Sequence, residues 1–370
     1  MILDRLEGFC QRRFLADYWQ RKPCLISGWL QPDALALDDL LGLAEDHDLP
    51  TRLVSGHVRH GRWQLRHGPL SQDDLPSAPR DWTVLVQEVD KASMAVAELL
   101  REFGFLPDWA IDDIMISAAV DGGSVGPHVD AYDVFLVQAA GKRCWELAAD
   151  FDPAFDDRFE LRLLKTWSAE LSVTVEAGQT LYLPAGIAHH GTAIGSCQTW
   201  SVGMRTPSAP ELMFALADSL ASQGRNERRM SLTAIDANLP AAITPGQVRE
   251  IRRLLQETLA LDDQSLATFS AAFLSRWRQW TTDGEPLEDA QVIAWLAEGR
   301  IVALAPSARL ALIDGAEPTR LFVNGEPIDC SPQLARELSR HRRLSAAWQA
   351  CPDAITQLCE LDALAPPEQD

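Results

Sequence analysis

Two short stretches carry residues able to do chemistry. In VGPHVDAYDVFLV, His128 and Asp130 stand two apart at the mouth of an apolar, strand-like run. Alternate residues of a strand share a face, so an imidazole and a carboxylate there project side by side. Together they are two legs of a metal site, and the third must come from elsewhere. About sixty residues on, LYLPAGIAHHGTAI ends a second apolar run in a Pro-x-Gly turn followed by adjacent histidines, His189 and His190. Neighbours on a strand face opposite ways, so only one of the two can join His128 and Asp130.

Two imidazoles and one carboxylate on one face of an octahedral ion leave three positions open, the arrangement of non-haem Fe(II) oxygenases. Such a centre keeps a net positive charge and accepts an anionic co-substrate beside dioxygen. A fixed cation would be needed for the far end of that co-substrate. In VQAAGKRCWEL, alternation puts Arg143, Trp145 and Leu147 on one face and Lys142, Cys144 and Glu146 on the other. The apolar companions mark the Arg143 face as interior. A guanidinium grips a carboxylate in two-pronged fashion, which a lysine does not.

The elements that position these residues follow from periodicity. LEGFCQRRFLADYWQ and ALALDDLLGLAED have helical spacing. After them RWQLRHG, WTVLVQEV, DIMISAAV, VFLVQAAG, RCWELAA, SVTVEAG and TLYLPAG read as separate short strands punctuated by glycine-rich turns. Strands at that spacing suggest a sandwich or barrel of the jelly-roll kind. From 207 to 284 the texture is helical, with APELMFALADSLASQ, a Thr-Pro cap opening TPGQVREIRRLLQETLA, and SLATFSAAFLSRWRQW. Their apolar stripes exceed what so short a region can bury alone, so part of that surface packs on the first region or on another subunit, and a homodimer is expected. From 285 to 370 a helix, three strands (RIVALAPS, RLALIDG, TRLFVNG) and the helix SPQLARELSRH resemble a winged-helix arrangement.

Composition narrows the setting. A formal charge of -20 over 370 residues argues against direct nucleic-acid binding and suits a basic protein partner. Seven scattered cysteines without a CxxC pair give neither a disulfide framework nor a zinc finger. Neither a signal peptide nor a membrane-length apolar run is visible, so a cytoplasmic protein is expected. His57, His60 and His67 crowd a Gly- and Arg-rich hairpin without a carboxylate nearby in sequence, so no second metal is expected there.

The segments GPHVD, GKRCW and LYLPAGIAHHG resemble the Jumonji C (JmjC, cupin-type) 2-oxoglutarate oxygenases. FLADYWQRKPCLISG, TRLVSGHVRHGRWQLRHGPL, LPDWAIDDIMIS and QTWSVGMRTP narrow that resemblance to the bacterial ribosomal oxygenases, which hydroxylate an arginine of large-subunit ribosomal protein sixteen. The resemblance implies a mixed β and α chain: a double-stranded β-helix (jelly-roll) catalytic domain over 1–206, a helical dimerisation region over 207–284 and a winged-helix-like domain over 285–370. It implies Fe(II) held by His128, Asp130 and His189, the last by its count from Pro184 and Gly186, with His190 outside the ligand set. It assigns 2-oxoglutarate to Arg143, fifteen residues after His128, and to Ser117, with dioxygen as the second co-substrate. Asp113 and Tyr132, with Met115 and Ser201 beside them, match that family's contacts to the target arginine. The same chemistry on another protein residue, an RNA or a small molecule is the alternative, as is an inactive cupin-fold binding module.

Overall fold

The computed structural model describes residues 1–47, 49–57, 61–76, 80–222, 229–231, 241–276, 287–315 and 319–367. Contacts divide the described residues into two compact units, the first of Met1–Thr206 together with Ala305–Ser307 and the second of the remainder from Pro207 on.

The first unit is built on eleven strands: β1 (Asp4–Glu7), β2 (Cys24–Ser27), β3 (Thr51–His57), β4 (Arg62–His67), β5 (Trp82–Val86), β6 (Ile111–Ala119), β7 (His128–Val129), β8 (Asp133–Ala148), β9 (Leu171–Glu176), β10 (Gln179–Leu183) and β11 (Ala188–Met204). Four short helices accompany them: α1 (Gln11–Asp17), α2 (Leu37–Asp46), α3 (Val89–Ala92) and α4 (Met94–Ala97). Hydrogen bonding runs β1-β2-β10-β8-β11-β6-β5-β3-β4, with β9 on β8 and β7 on β11.

Two long strands turn this single ladder into two facing layers. The first half of β8 pairs with β10, and its second half, Lys142 to Leu147, pairs with β9. Likewise the first half of β11 pairs with β7 and the second with β6. The change of direction falls at Gly141 (φ 65°) on β8, opposite the register shift between Ile194 and Gln198 on β11. VFLVQAAG and RCWELAA are therefore one sixteen-residue strand, because the glycine expected to end a strand bends a continuous one. The result is a jelly roll of the double-stranded β-helix type, as the sequence implies.

Side-chain alternation sorts two cores. Cys24, Ile26, Phe135, Val137 and Tyr182 point outward and join Phe14 and Leu40 under the helices. Leu25, Val134, Leu136, Leu181 and Leu183 point inward, where Trp145, Leu147, Val173 and Val175 of the other layer meet them. The first helical reading starts too early: residues 4–7 form a strand parallel to β2, and only 11–17 are helical. Hydrogen bonds to an available edge outweigh a local 3.6-residue pattern this short.

In the second unit, α5 (Ala209–Ser222), α6 (Pro245–Leu259), α7 (Asp263–Arg276) and α8 (Asp289–Ala297) precede two three-stranded sheets. Thr244 and Gln247 cap α6 reciprocally. β12 (Val302–Leu304) pairs with β16 (Arg343–Leu344) and β17 (Leu364–Ala365). β13 (Leu310–Ile313), β14 (Arg320–Val323) and β15 (Glu326–Ile328) form a meander whose second turn is Asn324-Gly325, both at positive φ. α9 (Pro332–His341), capped by Ser331, and α10 (Pro352–Glu360) complete it. No helix among the described residues is long and apolar enough to cross a membrane.

Gly141 is the joint between the layers. A Cβ there would lie 2.2 Å from the Ser196 carbonyl oxygen, in a left-handed backbone. Gly141→Ala is expected to cost about 2–4 kcal/mol of stability, read by urea unfolding; an unchanged midpoint would show that the bend tolerates a side chain.

Candidate metal centre

β7 is only two residues long, yet its pairing decides the site. His128 lies directly opposite His189 in the antiparallel register of β7 and β11, and their ring centroids are 4.2 Å apart. Asp130 follows immediately, its backbone carbonyl accepting the Gly186 N–H at 2.9 Å, which ties the Pro-x-Gly turn to this corner. Its Oδ2 stands 3.6 Å from His189 Nε2. Ligand atoms of His128, Asp130 and His189 all lie within 4.8 Å of one another.

Both imidazoles are oriented by the chain. His128 Nδ1 is 2.9 Å from the Gly126 carbonyl, and His189 Nδ1 is 2.9 Å from the Ile187 carbonyl. A carbonyl only accepts, so each Nδ1 carries a proton and Nε2 is the nitrogen left to face a metal. Burial, and then the neighbouring His128, push the His189 pKa down to about 4, so the ring is neutral at physiological pH. A neutral His189 is what a transition-metal site requires.

His190 points the other way. It sits opposite Glu146, and its Nδ1 is 3.0 Å from Glu146 Oε2, which also accepts the Trp167 indole N–H at 3.1 Å. The residue is buried but belongs to a separate polar cluster.

Arg143 lies inward, 3 % exposed, as alternation requires. Its Nε and Nη2 are buried without a hydrogen-bond partner among the described residues, as is Trp145 Nε1. A buried guanidinium with free donors fits a carboxylate-bearing ligand in the roll, since leaving it unpaired is costly. Trp145 connects the two halves of the site: its ring is 5.6 Å from the Arg143 guanidinium and 5.8 Å from the His189 ring. Sequence parity marked Trp145 only as a guide to the interior; its position between cation and ligand shows up in the fold. Ser117, on β6, is buried and donates to the Thr199 carbonyl at 3.3 Å.

Asp113 and Tyr132 approach each other across Gly203. Asp113 Oδ1 and Tyr132 Cε2 are each 3.7 Å from where a Cβ on Gly203 would be. Asp113 Oδ2 accepts the Glu88 N–H at 3.0 Å. Burial, with the Asp90 and Asp112 charges, raises its pKa to about 7. The Arg205 guanidinium lies 5.1 Å from the Tyr132 ring and 3.7 Å from Asp112, so one side of that ring already carries a cation. Met115 Sδ is 3.8 Å from Arg52 Nη2, and Ser201 pairs with Met115 across the strands. Asp133 accepts the Tyr182 hydroxyl and the Gln20 amide, so it is structural. In the histidine-rich hairpin, His67 pairs with Glu160 at 2.9 Å, a carboxylate remote in sequence, and His60 lies outside the described residues.

A double-stranded β-helix with a His-x-Asp and a distant His at its mouth, and a buried arginine within, defines the JmjC class of metal-dependent oxygenases. The JmjC domain family matches residues 98–212, and the ROXA-like winged helix matches 253–365. Over 344 residues the chain is 31% identical to the "Probable ribosomal oxygenase" of Haemophilus influenzae, covering 85% of this chain and 81% of that one. Over 324 residues it is 31% identical to the "Ribosomal protein uL16 3-hydroxylase" of Escherichia coli, covering 85% and 84%. The X-ray structure of E. coli YcfD superposes with a TM-score of 0.83 at 28% identity, over 95% of this chain and 96% of that one. A structure of the ribosomal oxygenase YcfD in complex with cobalt and 2-oxoglutarate gives 0.78 at 29%, with the same coverage. The chain belongs to the ribosomal oxygenase family.

The histidine doublet supplies a direct check. His189→Ala is expected to weaken cobalt(II) binding by at least about 100-fold in a spectroscopic titration, and His190→Ala by less than about tenfold. The reverse order would place the wrong histidine at the metal.

Proposed function

We propose that the protein is an Fe(II)- and 2-oxoglutarate-dependent hydroxylase of ribosomal protein uL16, placing a hydroxyl on the β-carbon of an arginine. The observation that carries the reading is the pairing of the two free Nε2 atoms and the Asp130 carboxylate with the unpartnered, buried guanidinium of Arg143. His128, Asp130 and His189 would hold the iron, which when bound couples dioxygen and the decarboxylation of 2-oxoglutarate to oxidation of a C–H bond.

The chain's own residues supply geometry. Arg143 takes the distal carboxylate of 2-oxoglutarate in a two-pronged pair, with Trp145 against its guanidinium. Ser117 would add a hydroxyl from β6. The inward apolar core of Leu136, Leu181, Val173 and Val175 keeps water from this end. Asp113 receives the target guanidinium, and Tyr132 offers a ring to it, with Met115 and Ser201 lining the approach. The net charge of -20 favours encounter with a basic ribosomal protein in the cytoplasm, where such a substrate is made.

The second unit suits pairing with another copy. α6 buries none of its residues, and Val248, Ile251, Leu255 and Leu259 form an exposed apolar stripe, with Met213 and Phe214 of α5 exposed as well. A second copy brings the same stripe, so a two-fold pairing covers both at once.

Two outcomes are expected. With Fe(II), 2-oxoglutarate and uL16, mass spectrometry should find a gain of about 16 Da on one arginine, the mass of one oxygen inserted. Succinate production with no gain on any uL16 peptide would overturn the substrate. Ile251→Asp with Leu255→Asp should shift the molar mass by light scattering from dimer to monomer; a monomeric parent protein would refute the dimer.

A further inference from the structure

Behind Asp113 lies a buried charge cluster that the oxidation itself does not use. Glu88, just after β5, adopts a left-handed backbone (φ 60°), and in that conformation its N–H reaches Asp113 Oδ2 at 3.0 Å. The contact is returned one residue along: the Ile114 N–H donates to Asp90 Oδ1 at 2.7 Å. Residues 88–91 are thus clipped onto 113–114. Lys91 completes the clip with a side chain only 1 % exposed, its Nζ 2.9 Å from Glu88 Oε1. Beyond that ion pair, Nζ has no hydrogen-bond partner among the described residues. An ammonium buried this way acts as a point charge rather than as a donor, and burying one is costly unless the charge is needed.

The need is visible in what faces Asp113. From β6 itself comes Asp112, which Arg205 approaches to 3.7 Å. The segment of α3 contributes Glu88, Asp90 and Lys91. Across Gly203 stands the Tyr132 ring. Four carboxylates, Asp113 among them, therefore meet two cations, Arg205 beside Asp112 and Lys91 beside Glu88. Burial, Asp90 and Asp112 all drive Asp113 toward its neutral form; the Glu88 N–H and Lys91 oppose them.

We infer that Lys91 is a positioning residue for arginine recognition: its buried charge offsets the surrounding carboxylates and favours the anionic form of Asp113 that an incoming guanidinium needs. The inference rests on the reading of Asp113 as the guanidinium acceptor and deepens it. A neutral carboxyl group offers a guanidinium no ion pair, so a cation set behind the acceptor strengthens binding of the cation in front. The sign is fixed. Affinity is full above the pKa of Asp113 in the folded protein and is lost as pH falls through it. Removing a positive neighbour raises that midpoint, and removing a negative one lowers it.

The test is the KM of an arginine-bearing uL16 peptide from pH 6 to 9, on protein supplied with Fe(II) and 2-oxoglutarate. Lys91→Met should raise KM about fivefold at pH 7 and far less at pH 9, an upward displacement of about one pH unit. Lys91→Arg should keep the parent midpoint, and Glu88→Gln should move it down. A Lys91→Met KM that is unchanged, or raised by the same factor at every pH, overturns the inference. So does an unmoved or upward midpoint in Glu88→Gln, which carries the test alone if Lys91→Met does not fold. Asp113→Asn, expected to show a high and pH-independent KM, separates the two layers of the reading. A parent-like KM for it removes Asp113 as acceptor, whereas a high one beside a flat Lys91→Met profile removes only Lys91.

Discussion

The site depends on a one-residue register between β11 and its two partners. His189 faces His128 on β7, and one step further His190 faces Glu146 on β8. Because side chains alternate, a slip of one position would send His189 to the Glu146 cluster and bring His190 inward. The ladder resists that slip at a specific place. Gly191, opposite Trp145, leaves room for the indole, and a Cβ there would lie 2.6–2.9 Å from the ring atoms. The indole in turn lies between Arg143 and His189. One small residue under one large one holds His189, the register and Arg143 in a single packing arrangement.

The same strands set up two poles of opposite charge inside an acidic protein. Arg143 is a buried cation with free donors, and Asp113 is a buried acid among other acids. Ser117 and Asp113 lie four residues apart on β6, about 13 Å along the strand. An anionic co-substrate and a cationic target side chain can therefore be held at separate ends without competing. Neither pole is comfortable without its ligand, which is how a site favours binding over mere stability. His189 is held neutral by burial, and the carbonyl partners of His128 and His189 fix both rings in place, so the donor set is oriented before any ligand arrives.

Much of this was legible in the amino-acid sequence, and the limits have physical causes. His128 and Asp130 could be read as a pair because spacing two on a strand is a strong geometric statement. Arg143 could be placed inside because Trp145 and Leu147 share its parity. The choice of His189 over His190 needed the resemblance to a known family, since parity alone treats either histidine as admissible. The junction of VFLVQAAG with RCWELAA was not legible, because a glycine at positive φ ends some strands and bends others. Leu6 and Glu7 looked helical because their strand partner, β2, is twenty residues away. The clip between Glu88–Lys91 and Asp113–Ile114, and the pairing of His190 with Glu146, join positions remote in sequence. Only the folded chain brings such groups into contact.

The central claim is that one face of the roll binds iron through His128, Asp130 and His189 while Arg143 holds the far carboxylate of 2-oxoglutarate. A crystal structure of the protein grown without oxygen in the presence of Fe(II) and 2-oxoglutarate tests it most directly, through the anomalous signal at the iron edge. The expected result is one iron peak bonded to both Nε2 atoms and to Asp130, at about 2.0–2.2 Å, with the distal carboxylate paired to the Arg143 guanidinium. Iron bonded to His190 or Glu146, or 2-oxoglutarate bound away from Arg143, would contradict it.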